Sequence, residues 1–115
     1  MSRRRSSRGV PGPQESAALF AALGDTTRLR LLFRLSDGGP MSITRLTVGG
    51  NLTRQAITKH LLVMEQAGLA HSTWKGRENV WRLDQKRLED ARHYLDLISK
   101  HWDAALGRLR RFVED

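Results

Sequence analysis

The stretch "TRQAITKHLLVMEQAGL" at residues 53–69 decides the fold. Its apolar residues recur at helical spacing, and a helical wheel places Ile57, Leu61 and Met64 on one side. The Thr at its start is a good N-cap, and the Gly near its end is a typical helix stop. We therefore predict a helix over 53–67 that packs one face against a core.

The other face of this helix is rich in hydrogen-bond donors. No polar residue between positions 53 and 60 is acidic. The major groove of DNA presents acceptors that Arg and Lys read at guanine, Gln at adenine, and Thr at either. The candidate base-reading residues are Arg54, Gln55, Thr58 and Lys59. The helix N-terminus at Thr53 suits a phosphate, and His60 is predicted to be a packed or phosphate-facing residue.

Three shorter helical patterns precede this helix. The first starts at Ser16 and ends at Gly24. Asp25 is a good N-cap for the second, "TTRLRLLFRLS", which "DGGP" ends. Ser42 caps a third, short helix over 43–48, which "GGN" breaks. The donor-rich helix is therefore the second helix of a predicted helix-turn-helix unit.

A predicted β-hairpin over 69–83 follows the helix-turn-helix unit. Two β-like runs, "LAHSTW" and "NVWRL", are joined by the short link "KGRE", which contains a Gly. This hairpin would form a wing, with Lys75 and Arg77 at its tip and able to reach DNA backbone or a minor groove. Trp74 and Trp81 are predicted to fix the wing onto the body, because aromatic residues in strands usually pack into a core.

The last predicted helix, from residue 86 to 113, carries a heptad seam. The seam consists of Leu88, Ala91, Leu95, Ile98, Trp102, Ala105, Leu109 and Phe112. A helix of this length measures about 40 Å, which exceeds the width of a domain of this size. A second copy of the chain is the simplest cover for the projecting part, so a homodimer is predicted. The alternative is that the seam packs entirely on its own domain.

The net charge of +8 is concentrated in two segments. Residues 1–14 contain four Arg and no acid, and residues 45–82 contain six Lys or Arg and two acids. This segregation favours a polyanionic partner over a basic surface that is merely solvated. We interpret 1–14 as a disordered basic tail, either a minor-groove arm or a segment without a role. Residues 15–115 are predicted to form one winged helix-turn-helix domain for DNA binding and dimerisation.

Several function classes are excluded by composition. The chain has no Cys, which removes disulfides, thiolate nucleophiles and thiolate metal sites. No apolar run is long enough to span a membrane, and the N-terminus lacks the apolar segment of a signal peptide, so a cytoplasmic location is expected. We find no catalytic constellation or phosphate-binding loop and predict neither enzymatic activity nor a cofactor.

Three motifs resemble the ArsR-type family of winged helix-turn-helix transcriptional repressors. They are "LFAALGDTTRLRLL" at 19–32, "LTRQAITKHLLVMEQAGL" at 52–69 and "KGRENVWRL" at 75–83, which together cover more than half of the chain. The resemblance implies a mainly α fold of five helices with a two-stranded β-hairpin wing. It also implies a dimer formed through the first and last helices, which binds an inverted-repeat operator.

These considerations define two sets of candidate site residues. The candidate DNA-binding residues are Ser42, Thr44, Thr53, Arg54, Gln55, Thr58, Lys59, His60, Lys75 and Arg77. The candidate dimer-interface residues are Leu19, Phe20, Leu95, Ile98, Trp102 and Leu109. No catalytic residue is proposed.

Many members of the family sense metals, so the last helix needs a separate test. The possible ligands there are Asp90, His93, His101 and Asp103. Asp90 and His93 are three residues apart where the family pattern has two, and His93 and His101 are eight apart where it has eleven. No metal site is predicted, and the effector is left open between a ligand, a protein and none.

Two departures from the family pattern concern the helix-turn-helix unit. Arg54 stands where Gln is common, and Gly50 in "VGGN" stands where an apolar residue usually closes the preceding helix. The alternative function is a winged-helix module for protein interaction or RNA binding without operator recognition, because a fold does not specify a function.

Overall fold

The structure, a computed structural model, describes residues 12–114. In this part of the chain it is mainly helical with a small antiparallel sheet, as predicted. The helices are α1 (Pro13–Leu23), α2 (Thr26–Gly38), α3 (Ile43–Thr47), α4 (Arg54–Gln66) and α5 (Gln85–Glu114). The strands are β1 (Met41–Ser42), β2 (Ala70–Lys75) and β3 (Glu78–Leu83).

The first helix begins earlier than its apolar pattern indicates. Proline is favoured at the first position of a helix, and Pro13 occupies that position in α1. Pro13 and Gln14 therefore belong to a helix and not to the predicted tail. The rest of that tail, residues 1–11, lies outside the described residues.

Side-chain caps start the helices that build the helix-turn-helix unit. Asp25 accepts a hydrogen bond from the Arg28 backbone N–H at 3.0 Å, and Thr53 accepts one from the Ala56 N–H at 3.1 Å. At the other end, α2 continues through Asp37 and Gly38, beyond its predicted end at Ser36. Gly39 then takes a φ of 78°, which favours glycine, and ends the helix.

The sheet has one strand more than predicted. Its order is β1-β3-β2, and both pairings are antiparallel. Met41 lies opposite Trp81, so β1 joins the helix-turn-helix unit to the wing. The hairpin turn is also tighter than the predicted link, because β2 extends to Lys75 and β3 starts at Glu78. Gly76 takes a φ of 63° at the first turn position.

The core lies between α1, α2, α3, α4 and the sheet. Its largest fully buried apolar side chains are Leu19, Leu46, Ile57, Leu61, Met64 and Leu69. Leu19 has no exposed surface in a single chain, so its assignment to the dimer interface is wrong. Because Ile57, Leu61 and Met64 are all buried, the predicted core face of the donor-rich helix is confirmed.

The fifth helix leaves the body that its start packs against. It spans 30 residues, and its buried residues are Asp90 and Ala91, near its N-terminus. The described part of the molecule measures 67 × 39 × 20 Å as a result. No helix in residues 12–114 is long and apolar enough to cross a membrane.

The end of α4 and the start of α5 are tied together. The Arg87 Nε donates to the Ala67 carbonyl at 3.2 Å, and its guanidinium lies 3.4 Å from the Asp90 carboxylate. Gly68 takes a φ of 80°, and a Cβ there would lie 2.8 Å from the Arg87 Nε. Glycine at this turn therefore lets the Arg87 side chain pass close to the backbone.

Candidate nucleic-acid interface

The predicted base-reading residues come together on one surface of α4. Arg54, Gln55, Thr58 and Lys59 line a single open concavity. Gln55 and Lys59 are exposed and make no hydrogen bond or ion pair within residues 12–114, so their donors are available to a partner. The Thr58 hydroxyl donates to the Arg54 carbonyl at 2.8 Å and is partly engaged within the helix.

Helix α3 contributes to this surface through Thr44. The Arg54 guanidinium donates to the Thr44 hydroxyl oxygen at 2.9 Å, and both side chains are exposed. Arg54 has five N–H donors, so this bond leaves others free for a base or phosphate. Thr44 therefore lies on the predicted surface and also orients Arg54.

Two of the predicted DNA-binding residues make structural contacts within the chain. Ser42 is 8% exposed, and its hydroxyl accepts a hydrogen bond from the Arg45 backbone N–H at 3.2 Å, which caps α3. The His60 Nδ1 lies 3.3 Å from the Arg28 guanidinium and 3.9 Å from the Asp25 carboxylate. Ser42 is not placed to reach DNA, and the His60 Nδ1 faces α2, which accords with the packed role that was predicted as one of two alternatives.

Arg28, on α2, connects this helix to α1 and α4. Its Nε donates to the Ala22 carbonyl of α1 at 2.7 Å, while another of its nitrogens contacts His60 on α4. Asp25, the N-cap of α2, has a lowered pKa because it accepts the Arg28 backbone N–H, with the nearby Arg28 and His60 charges adding to the effect. The Asp-Thr-Thr-Arg motif therefore fixes α4 relative to α1 and α2.

The wing carries its predicted basic tip. Lys75 and Arg77 are both exposed, on either side of Gly76. Trp81 is 2% exposed and belongs to the core, which confirms its predicted role. Trp74 is 68% exposed, so the prediction that it fixes the wing to the body is wrong.

Trp74 is a surface residue that the sequence interpretation missed. Strand alternation puts residues 70, 72 and 74 on one side of β2, and Ala70 is buried, so the pattern alone places Trp74 in the core. The hairpin extends past the body before it reaches Trp74. Its position immediately before the "KGRE" link was the available signal for exposure. Arg45 on α3, next to Thr44 in sequence, is an exposed cation that the prediction omitted.

A short contact holds the wing to the start of α5. The His71 Nε2 lies 2.7 Å from the Asp84 carboxylate, which also accepts the Arg87 backbone N–H at 3.0 Å. The hydrogen bond from His71 is the main cause that lowers the pKa of Asp84, with partial burial acting in the opposite direction. Asp84 thus favours its ionised form and links the wing to the last helix.

The predicted dimer residues of α5 are exposed in a single chain. Leu95, Ile98, Trp102 and Leu109 have exposed fractions between 51 and 63%. Phe20 of α1 is partly buried, and its ring centroid lies 6.1 Å from that of Tyr94 on α5. These apolar side chains recur at heptad spacing, so together they form a continuous apolar surface along one side of the projecting helix. Within residues 12–114, no group of three or more His, Asp or Glu residues is placed to hold a metal ion.

Comparisons with known proteins agree with this architecture. No protein-family model matches the chain. YuzN, an uncharacterised HTH-type transcriptional regulator of Bacillus subtilis, is 39% identical over 79 residues, which cover 64% of this chain and 86% of the relative. An ArsR-like transcriptional regulator from Rhodococcus sp. RHA1 has a TM-score of 0.76 and 33% identity, covering 86% of this chain and 92% of that chain.

A third likeness concerns the fold alone. The solution structure of a homodimeric winged helix-turn-helix DNA-binding domain from Mycobacterium bovis has a TM-score of 0.61 at 19% identity. It covers 94% of this chain, and this chain covers 95% of it. The fold, the donor-rich helix and these relatives define a winged helix-turn-helix transcriptional regulator. Within that class, the chain belongs to the ArsR family.

Proposed function

We propose that this regulator is a homodimeric repressor that binds an inverted-repeat operator, with α4 in the major groove and the β2-β3 hairpin as a wing. The observation that carries the proposal is the concavity lined by Arg54, Gln55, Thr58 and Lys59, which contains no acidic residue. Side chains of these types match the acceptors on base edges. Lys75 and Arg77 at the wing tip would add contacts to phosphates, which strengthen binding to every sequence alike.

The exposed seam of α5 supports the homodimer. Leu95, Ile98, Trp102 and Leu109 would leave a long apolar surface in water if the chain stayed monomeric. A two-fold pairing of α5 with its copy, beside the Phe20 and Tyr94 rings, covers this surface and places two α4 helices on one duplex. The structurally similar domain from Mycobacterium bovis is described as homodimeric.

Repression is the simplest outcome of such binding, since a dimer seated on an operator within a promoter competes with the transcription machinery. The proposal gives the chain a binding role and no catalytic one, in keeping with relatives that are regulators. Its place of action would be the cytoplasm, where the operator DNA is.

The test is a gel shift on the DNA upstream of the chain's own gene, with a salt titration. Each phosphate contact releases condensed counterions, so affinity should fall steeply between about 50 and 200 mM salt. Footprinting should show a protected inverted repeat. The proposal would be wrong if no inverted repeat near the promoter is bound at about 50 mM salt. Tight binding to RNA or to a protein in the same assay would favour an interaction module instead.

A further inference from the structure

A cleft of about 600 Å³ lies on the helix-turn-helix unit, apart from the DNA-facing surface of α4. This volume is within the usual range for small-molecule sites. Its walls come from α2, the end of α3, the turn over 48–52 and the start of α4. Its charged lining residues are Arg30 and Arg34, and its apolar walls include Leu31, Val48, Leu52 and Ile57.

The walls of the cleft combine cationic and apolar groups. Arg34 is held in place because its guanidinium donates to the Leu46 carbonyl at 2.7 Å and to the Arg45 carbonyl at 3.1 Å. Arg30 is exposed and makes no hydrogen bond or ion pair within residues 12–114. No lining residue is acidic, so the two guanidinium groups have no counter-charge within the cleft.

The apolar part of the cleft is both deep and open. Leu31 and Ile57 belong to the buried core, at 4% and 2% exposure. Val48 and Leu52, on the turn, are 69% and 37% exposed. An apolar floor with an exposed apolar edge fits a hydrocarbon group, and an unpaired guanidinium fits a carboxylate through charge-assisted hydrogen bonds.

Two glycines keep the turn side of the cleft unfilled. Gly49 has a φ of 77°, and a Cβ built there meets nothing within 4 Å. A Cβ on Gly50 would have the Thr47 carbonyl oxygen at 4.0 Å as its nearest neighbour, which is ordinary contact. A larger residue at Gly50, which lines the cleft, is therefore compatible with the backbone.

We propose that this cleft binds a small amphipathic anion, a carboxylate carried on an apolar body, and that its occupancy weakens operator binding. The bound anion offsets the charge of Arg30 and Arg34 and adds a negative charge to the DNA-binding unit, which lowers its attraction for phosphates. It also contacts the turn that leads into α4. The effect on the operator rests on the proposed function, whereas anion binding itself does not.

The first experiment measures octanoate binding to the full chain without DNA. Calorimetry gives the affinity, and amide NMR gives the location, with octanol as the uncharged probe of the same chain length. We expect octanoate to shift the Gly49 and Gly50 amides and leave that of Gly107, on α5, in place. Octanol should bind about tenfold more weakly.

Matched variants test whether Arg30 and Gly50 line the octanoate site. Arg30→Gln removes the unpaired charge and should weaken octanoate binding about tenfold. Gly50→Leu narrows the cleft and should weaken both probes. Arg92→Gln, a change at an exposed arginine on α5, should leave the affinity unchanged. Thermal unfolding of each variant shows whether the fold is retained.

Three outcomes of these measurements would overturn the anion site. Shifts at Gly107 without shifts at Gly49 and Gly50 would place octanoate on the α5 surface. Equal binding of octanol and octanoate, or full binding by Arg30→Gln, would remove the role of the guanidinium.

The second experiment repeats the operator gel shift with and without octanoate. We expect about threefold weaker operator binding with octanoate, and no octanoate effect in Arg30→Gln. Unchanged operator affinity at saturating octanoate would overturn the regulatory part. A large loss of operator affinity in Arg30→Gln without octanoate would make Arg30 a DNA contact instead. If no operator is bound at all, the proposed function fails while the anion site is still judged by the first experiment.

Discussion

Helices α4 and α5 have similar apolar patterns but differ in how much of each pattern is buried within the chain. Each has an apolar stripe at helical spacing, but the stripe of α4 is buried within its own chain at Ile57, Leu61 and Met64. The stripe of α5 is buried near Ala91, and from Leu95 onward its large apolar side chains are exposed. An apolar stripe therefore shows that a helix needs a partner surface, and the length of the helix relative to the body indicates whether that surface lies in the same chain.

The largest effect should come from disrupting the proposed interface between the α5 helices of two chains. Ile98→Glu would bury a charge in the interface of both copies, so the dimer dissociation constant should rise at least about 100-fold. Size-exclusion chromatography with light scattering should then give the mass of one chain, 13.1 kDa, where the wild type gives the mass of a dimer. Operator affinity should fall together with dimerisation.

Lys100→Glu is the matched control, because Lys100 is exposed on α5 outside the heptad seam. It should leave the dimer intact. A wild-type chain that is already monomeric at micromolar concentration, or an Ile98→Glu chain that remains dimeric, would contradict the proposed role of α5.

On α4, the comparison is between two adjacent leucines. Leu61 is completely buried and Leu62 is 46% exposed. Leu61→Ala should lower the free energy of unfolding by about 2–5 kcal/mol, because it leaves a cavity in the core. Leu62→Ala should change it by less than about 0.5 kcal/mol. Urea unfolding at one fixed protein concentration measures both, since the proposed dimerisation would make stability depend on concentration. Equal losses would contradict the two-sided description of α4.

The donor face of α4 should govern sequence discrimination. Gln55 is exposed and free of hydrogen bonds within residues 12–114, so Gln55→Ala should remove a base contact without affecting the fold. We expect discrimination at one base pair to weaken by about 1–3 kcal/mol. Gel shifts against operators altered one base pair at a time measure this, and a uniform loss across all of them would assign Gln55 to a phosphate.

The wing should behave in the opposite way. Lys75→Ala should weaken all sequences alike and reduce the slope of log affinity against log salt by about one, as expected for one lost phosphate contact. A salt titration on specific and scrambled duplexes measures the slope. Glu78→Ala, at the position that pairs with Lys75 across the hairpin, is the control and should not reduce the slope.

The smallest effect concerns the contact between the wing and α5. The pKa of Asp84 is lowered in the folded chain, so its ionised form contributes stability above its unfolded pKa of about 3.9. That contribution disappears as the pH falls through the lower, folded pKa. Asp84→Asn should cost less than about 1 kcal/mol at pH 7, and the difference from wild type should vanish in strong acid. Urea unfolding from pH 7 to pH 2 measures it, with Glu89→Gln as an exposed control.

Sequence patterns predicted most of this fold, and their errors have physical causes. The caps at Asp25, Ser42 and Thr53 and the glycine stop at Gly68 are local signals, so the helices of the helix-turn-helix unit were placed within a few residues. The strand β1 was missed because it is only two residues long. It is defined by its pairing with β3, which is distant in sequence and leaves no local sequence pattern.

The common surface of the four candidate base-reading residues was predicted correctly, because helical periodicity determines which residues share a face. Arg54, Gln55, Thr58 and Lys59 lie together because residues three and four apart adjoin on a helix, as 55 and 58, 54 and 58, and 55 and 59 do. Ser42 and His60 were assigned to DNA binding because their side chains can form hydrogen bonds. In the folded chain the Ser42 hydroxyl caps α3, and the His60 Nδ1 contacts Arg28. Trp74 was wrongly placed in the core, because strand alternation does not indicate how far a hairpin extends past the body.

The contact of Arg87 with the Ala67 carbonyl has a consequence for operator architecture. It ties the end of α4 to the start of α5, so in the proposed dimer a change in the crossing angle of the two α5 helices would turn the two α4 helices with them. In the proposed dimer, α4 would determine which bases are read, and α5 would determine the distance and helical phase between half-sites, which must match the roughly 10–10.5 bp repeat of DNA. Half-site spacing could then diverge among related regulators through substitutions in α5 alone, with every base contact unchanged.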